Sequence, residues 1–429
     1  MTTADPGLEP VAVPAVEGLP KDSRTLFSVP LVLAQFFVLF SILTPVVVAL
    51  SIKLTTIVPP EEVAGAQGLV GGLTALCSII ATPIVGNLSD RTRSRFGRRR
   101  PWLIGGVLLG TAALFVVGTA NTVLLVLLGS ILAGVGFNAT AAAIGGLYAD
   151  RVPTKWHGRV GALIGVATNF AAIAGAAIAT LLAPNIVLIF VIPGILAIVV
   201  VAILAAVIKD SKDDVQGVER FSFGQVFKSF TWPVRQSHDF TVNLVSRFLI
   251  WMGYTAIIAF QALLFIQHFG IAPTEVAGYL LAATGLSGIA TLVGSVGGGW
   301  ITDKTDKRRG FVIFSGLLMG AALVIYAFAP TVEFAIGAGV LIGLGLGVYL
   351  AVDLALATRL IPDPRFTGRY MGIVQLASNL PQSIMPFLAP LLLAIGAAQA
   401  GPNFLLLFVV AGVLSIVGAL VMLLMRSTR

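Results

Sequence analysis

Twelve long apolar runs separated by short polar loops leave this chain few ways to fold. They fall at about 27–52, 66–86, 102–120, 122–147, 160–183 and 186–208, then at about 240–266, 274–298, 311–329, 332–357, 369–396 and 402–424. A helix needs about 20 apolar residues to cross a bilayer. A membrane strand would instead show only about ten residues of alternating polarity. No run has a polar face wide enough for a water-soluble bundle. Only 11% of the 429 residues are charged, against about 25% in soluble domains. The expectation is an all-α integral membrane protein with twelve transmembrane helices.

The loops carry a repeat. Between the second and third runs stands Gly86-Asn87-Leu88-Ser89-Asp90-Arg91-Thr92-Arg93-Ser94-Arg95-Phe96-Gly97-Arg98-Arg99-Arg100-Pro101-Trp102. A weaker copy, Gly299-Trp300-Ile301-Thr302-Asp303-Lys304-Thr305-Asp306-Lys307-Arg308-Arg309, follows the eighth run, almost half the 429-residue chain later. A second pair is in register with the first: Gly158-Arg159 before the fifth run and Gly368-Arg369 before the eleventh. Two landmarks in register predict a duplicated six-helix unit with both copies in the same orientation.

The net charge of +8 sits in loops rather than on a nucleic-acid-binding face. Loops after runs two, four, eight and ten hold Arg91 to Arg100, Arg151 with Lys155 and Arg159, Lys304 to Arg309, and Arg359 with Arg365. The opposite loops carry Glu61, Glu62, Glu275 and Glu333, with Lys53 the one basic residue at that side. The positive-inside rule then puts both termini in the cytoplasm. Residues 1–26 read as a disordered cytoplasmic tail, 27–208 and 240–424 as two bundles, 209–239 as a linker and 425–429 as a short tail. Within the linker, Phe221 to Phe227 suits a short interfacial helix. The single cysteine, Cys77, rules out a disulfide framework.

Gly86-x-Leu88-x-Asp90-Arg91 with Gly97-Arg98-Arg99, and Gly299-x-Ile301-x-Asp303-Lys304 with Lys307-Arg308-Arg309, resemble the paired loops of the major facilitator superfamily. The longer form, Asp90 through Trp102, looks like the glycoside–pentoside–hexuronide:cation symporter and sucrose:proton symporter branches. The resemblance implies two pseudo-symmetric bundles, a central cavity, alternating access, and loops that latch the outward-facing state. It places Asp90, beside Arg91, near Arg369, and Asp303 near Arg159. The chain departs from those branches in two places. Residues 66–86 hold no acid, and Gly134 and Gly145 stand where sucrose-type carriers have charges around Asn138-Ala139-Thr140.

Charges inside spans are rare and informative. Arg247 lies about 12 Å into the seventh run at 1.5 Å per residue, and Asp353 lies near the basic-loop end of the tenth. A pair between them is geometrically allowed; a coupling or gating role and a purely structural pairing both fit. Asp353 is the best candidate for proton coupling, and its off-centre depth favours a gate over the substrate site. Neutral polar residues recur nearer the midplane: Gln35, Thr44, Asn138, Thr140 and Asn169, then Asn243, Tyr254, Gln261, Gln375, Asn379 and Gln382. Singly they suit helix–helix hydrogen bonds; together they suit a neutral hydroxylated solute, with Trp251 and Tyr254 as an apolar platform. The glycine rows Gly339, Gly343 and Gly347, and Gly158, Gly161 and Gly165, suit close helix packing.

The expected function is secondary active transport by alternating access, as proton-coupled uptake of a sugar, glycoside or related small polar solute. Export of amphipathic compounds, uniport, and a non-transporting scaffold or sensor are the alternatives. No enzyme is expected, since no span holds an acid–base pair and the three histidines lie near span ends. No cofactor, metal or nucleic acid is expected. Expected partners are the solute, a proton or other monovalent cation, and membrane lipids, for a monomer in the cell membrane.

Overall fold

The structure, a computed structural model, describes residues 23–92, 94, 96–152, 154–183, 185–208, 237–305, 308–362, 367–396 and 401–426. The expected tail over 1–22, the linker over 209–236 with its interfacial helix, and residues 427–429 lie outside the described residues. So do the side chains of Asp90, Arg91, Arg159, Asp303 and Arg369, the expected latch. The first helix begins at Ser23 rather than 27, four residues into the expected tail.

Among the described residues, twelve helices are long and apolar enough to cross a membrane. α1 runs Ser23–Thr44 and continues through a π-helical turn, Pro45–Ala49, into Leu50–Thr55. The wider turn falls where Pro45 has no N–H to give the preceding turn. Then follow α2 (Pro60–Arg91), α3 (Arg100–Thr119), α4 (Val123–Arg151), α5 (Thr154–Leu182) and α6 (Ile186–Val207). The second half repeats them as α7 (His238–Gln267), α8 (Val276–Thr305), α9 (Arg308–Ala327), α10 (Val332–Arg359), α11 (Thr367–Ala394) and α12 (Phe404–Val421). The spans place the basic loops on one membrane face, called the basic face below.

Local chemistry repeats with the fold. Thr122 caps α4 by accepting from the Leu125 amide, and Thr331 caps α10 by accepting from the Phe334 amide. Asn185 and Asn403 do the same for α6 and α12. These caps satisfy helix N–H groups that have no intrahelical acceptor. At the basic face Arg100 donates to the Ile208 carbonyl beyond α6, and Arg309 donates to the Leu423 carbonyl beyond α12. A guanidinium at a helix C-terminus meets exposed carbonyls and the negative end of the dipole. The basic loops therefore clamp the third helix of each half to the sixth.

Close packing within each half rests on small residues, though not at every expected glycine. A side chain on Gly343 would meet Ser287, and one on Gly347 would meet Thr291 and Ser295, so these two form the α8–α10 seam. Gly339 and Gly165 face open space. Of the α5 row, a side chain on Gly161 would meet the Tyr148 hydroxyl of α4, and Gly158 lies outside the described side chains. Spacing alone does not say which side of a helix has a neighbour.

The halves meet through α2 with α11 and α5 with α8. The α2 contact uses Gly68, Gly71 and Gly72 against Pro386, Phe387 and Pro390, and Gly288 of α8 lies against Ile173 of α5. Hydrogen bonds also cross between the halves: Gln67 donates to the Ala259 carbonyl and Gln267 to the Pro60 carbonyl, the latter at 2.7 Å. Gln67 also accepts from Ser51 at 3.0 Å. The α2 contacts and both bonds lie in the part of the membrane away from the basic loops. On that side Lys53, buried at the end of α1, donates to the Gly118 carbonyl near the end of α3.

Candidate functional site

α7 presents a polar ladder. Asn243, Arg247 and Trp251 follow one another at four-residue steps, with Tyr254 and Gln261 three and ten residues beyond Trp251. Four-residue steps put side chains on one helix face. α10 brings Tyr349 and Asp353, again one turn apart, and α11 brings Gln375, Ser378, Asn379 and Gln382.

Their centre is an ion pair. Arg247 Nη1 stands 2.8 Å from Asp353 Oδ2, and Arg247 Nε donates to Ser378 Oγ at 2.5 Å. Arg247 is 7% exposed, Asp353 2% and Ser378 3%. One guanidinium thus ties α7, α10 and α11 together. Burial strips both charges of water, a loss offset only by mutual attraction and further hydrogen bonds. The Tyr349 hydroxyl interacts with Asp353 and with the Trp251 indole. Yet Asp353 Oδ1, Tyr349 OH, Trp251 Nε1, Asn243 Oδ1 and Ser246 Oγ reach no hydrogen bond of standard geometry among the described residues. Orphaned buried polar atoms are uncommon in folded proteins and call for a reason. With Arg247 Nη1 and Gln267 Oε1, seven such atoms lie on α7 and α10.

Around this centre the other expected residues divide. Trp251 and Tyr254, the expected platform, meet edge to face with centroids 5.7 Å apart, so the two rings do not share one plane. Gln261 reaches toward Tyr326 of α9, whose buried hydroxyl makes no hydrogen bond of standard geometry among the described residues. Gln375 donates to Asn379 at 3.2 Å on the open side of α11. In the first half, Asn138 donates to the Gly134 carbonyl at 2.7 Å and Asn169 to the Gly165 carbonyl at 3.3 Å, each on its own helix. Gln35 is half-buried on α1. Thr140 is turned into the α3–α4 seam, where its hydroxyl donates to the Leu103 carbonyl at 3.2 Å. Its neighbours there are Gly106 and Gly136, whose missing side chains let the two backbones close on it. Among the described residues no hydrogen bond joins Asn138 or Asn169 to the α7–α10–α11 group.

Sequence reasoning missed Tyr349, Ser378 and Asp150. Tyr349 stands one turn before Asp353, and Ser378 stands between Gln375 and Asn379; both signals were available. Asp150 ends α4 and accepts from Arg99 at 2.7 Å and from Arg98 at 3.1 Å. These bonds dock the basic loop onto its own half. Asp150 is 42% exposed, so screening holds their joint worth to about 1 kcal/mol. Asp150→Asn is expected to raise the rate of limited trypsin cleavage at this loop about fivefold with the fold retained. An unchanged rate would show that other contacts hold the loop.

Among described residues no group of three or more His, Cys, Asp or Glu side chains is placed to hold a metal. Known proteins share this architecture. A crystal structure of a bacterial homolog of the human lysosomal transporter Spinster, inward-facing and occupied, superposes with a TM-score of 0.72 at 16% identity over 96% of this chain and 98% of that one. The nucleoside transporter NupG superposes at 0.76 with 10% identity, over 94% and 100%. Sequence relatives match in short stretches. The general alpha-glucoside permease of Schizosaccharomyces pombe is 50% identical over 50 residues, 12% of this chain and 9% of the permease. The putative metabolite transport protein YdjK of Escherichia coli is 32% identical over 87 residues, 20% of this chain and 18% of YdjK. The chain thus covers less than a fifth of each of these two relatives. The description of the Major Facilitator Superfamily, by contrast, matches residues 25–237 and 243–429. With twelve candidate spans among the described residues, in two repeated halves, the chain is a multi-pass membrane protein and belongs to the Major Facilitator Superfamily.

Proposed function

We propose that this carrier takes up a small neutral hydroxylated solute, a sugar or glycoside, together with a proton, by alternating access. The observation that carries the reading is the buried Arg247–Asp353 pair. Intramembrane charges are costly and are kept where they move ions or hold substrates. The acid of this pair can take up and release a proton, and its basic partner makes each state depend on the other. The nearby groups Gln375, Asn379, Gln261 and Tyr254 are uncharged, which suits a solute that gives and accepts hydrogen bonds without net charge. The short match to an alpha-glucoside permease points the same way. Among the described residues, the α2 glycine contacts and both hydrogen bonds between the halves lie away from the basic loops, as in a state that opens toward the basic face. In this reading that face is cytoplasmic, the membrane is the cell membrane, lipids surround a monomer, and the Asp90–Arg369 and Asp303–Arg159 pairs close the basic face in the other state.

The test uses proteoliposomes loaded with a pH-sensitive dye and supplied with sucrose, maltose and methyl glucosides. Sugar entry is expected to acidify the lumen. Asp353→Asn should abolish accumulation while leaving sugar exchange within about threefold, because exchange returns the carrier loaded and needs no net proton step. Sugar entry without acidification would leave a uniporter. Competition by lipophilic cations with no sugar entry would establish the exporter reading instead.

A further inference from the structure

Resting on that reading of Asp353, we infer that Ser378 is the positioning residue through which the protonation state of Asp353 reaches α11. Arg247 divides its guanidinium between two buried partners on different helices: Asp353 Oδ2 of α10 at 2.8 Å and Ser378 Oγ of α11 at 2.5 Å. When a proton binds the Asp353 carboxylate, the ion pair becomes a charge beside a neutral acid. Arg247 is then a buried cation without its counter-charge and must find other acceptors. The one side chain already bound to its Nε is Ser378, so the imbalance falls on α11.

α11 is built to pass that imbalance on. Ser378 lies three residues after Gln375 and one before Asn379, which hydrogen-bond each other at 3.2 Å. Just beyond it come Pro381, Pro386 and Pro390 within the same helix. Each proline lacks the N–H that would bond one turn back, which softens the helix there. The last two prolines are the surface that meets Gly68 of α2 across the halves. One helix therefore carries, in order from the basic face, the amide Gln375, the Arg247 contact at Ser378, the amide Asn379 and the inter-half contact.

Among the described residues, the other titratable and charged groups around Asp353 are these. Tyr349 acts on it from its own helix and Arg247 from α7. From α9, Arg308 binds the Ala355 carbonyl two residues further along α10. α8 ends in Lys304, which lies over Trp300 at 3.6 Å. α11 packs Tyr370 against Phe240 of α7.

The test needs no identified solute. Spin labels on Leu88 of α2 and Thr358 of α10, in a chain carrying Cys77→Ala, report the separation of the halves at the basic face. Between about pH 8 and about pH 5 the unaltered pair is expected to change its ratio of distance populations about fivefold or more, the lower end of ordinary coupling. Asp353→Asn should hold the low-pH distribution at every pH. Ser378→Ala should keep the distribution found at about pH 8 yet change less than about twofold on acidification. Ser378→Thr, which keeps the hydroxyl, should restore the change. If Ser378→Ala does not fold, Ser378→Val takes its place with the same expectation, since it has the shape of the threonine control without the hydroxyl. A Ser378→Ala (or Ser378→Val) protein that responds like the parent overturns the role of Ser378 alone. A parent that does not respond, or an Asp353→Asn protein that still does, overturns the proton reading of Asp353 and the role of Ser378 with it.

Discussion

Replacing Arg247 with methionine is expected to cost about 3–5 kcal/mol of stability, the usual penalty for breaking a buried pair from one side. Asp353 would keep its place in a pocket that leaves it 2% exposed, with Tyr349 as its remaining neighbour of note and its counter-charge gone. Ser378 would lose the donor at its hydroxyl. The double replacement Arg247→Met with Asp353→Leu removes both charges, and its stability should lie within about 2 kcal/mol of the parent, on either side. The comparison is made by denaturation in detergent. Equal losses in the single and double variants would mean that packing, not the pairing of charges, holds α7 to α10. The double variant should also show no proton-driven accumulation, so its stability and its inactivity together separate function from folding.

Gly68→Leu is expected to act on conformation rather than on folding. A side chain at position 68 would run into the Pro386 carbonyl and the Pro390 ring. The Pro386 carbonyl is where it is for a chemical reason: Pro390, one turn on, has no N–H to offer it. Glycine lets the α2 backbone approach that uncovered carbonyl, where a Cα–H can lie against it. Leucine forbids the approach, and overpacking of this kind costs about 1–3 kcal/mol. Because the contact exists only while the halves are closed on the side away from the basic loops, the cost falls on that state. The open population there should rise about tenfold, since 1.4 kcal/mol is a factor of ten. Spin labels on Glu62 and Glu275, either side of the contact, should report a longer separation, with transport reduced in proportion. An unchanged distance would show that Gln67 and Gln267 hold the face shut without the glycine contact.

Much of this architecture was legible in the residues. Run length and missing charge dictated helices, because hydrocarbon offers a backbone no other partner. Repetition of the Asp90 loop at Asp303 announced two halves, and the matched caps Thr122 with Thr331 and Asn185 with Asn403 carry that repetition down to single hydrogen bonds. The site was less legible. Arg247 and Asp353 stood out because a charge in a span is rare, and their rough depths allowed a pair. Ser378 and Tyr349 did not stand out, since a serine or tyrosine in an apolar run is ordinary until its neighbour is known. Thr140 misled for the same reason in reverse: a hydroxyl near the midplane suited a solute, but Gly106 and Gly136 close the α3–α4 seam over it.

The sequence by itself determined the class of protein, the number of spans and the duplication. These follow from transfer free energies and from loop chemistry that each segment expresses alone. Only the tertiary structure decided which polar residues meet. It turned a lone arginine and a lone aspartate, more than 100 residues apart in the chain, into one buried pair 2.8 Å across. It also joined that pair to α11 through a serine. Helix rotation and crossing set such meetings, and small residues on several helices fix them at once, so no single run contains the information.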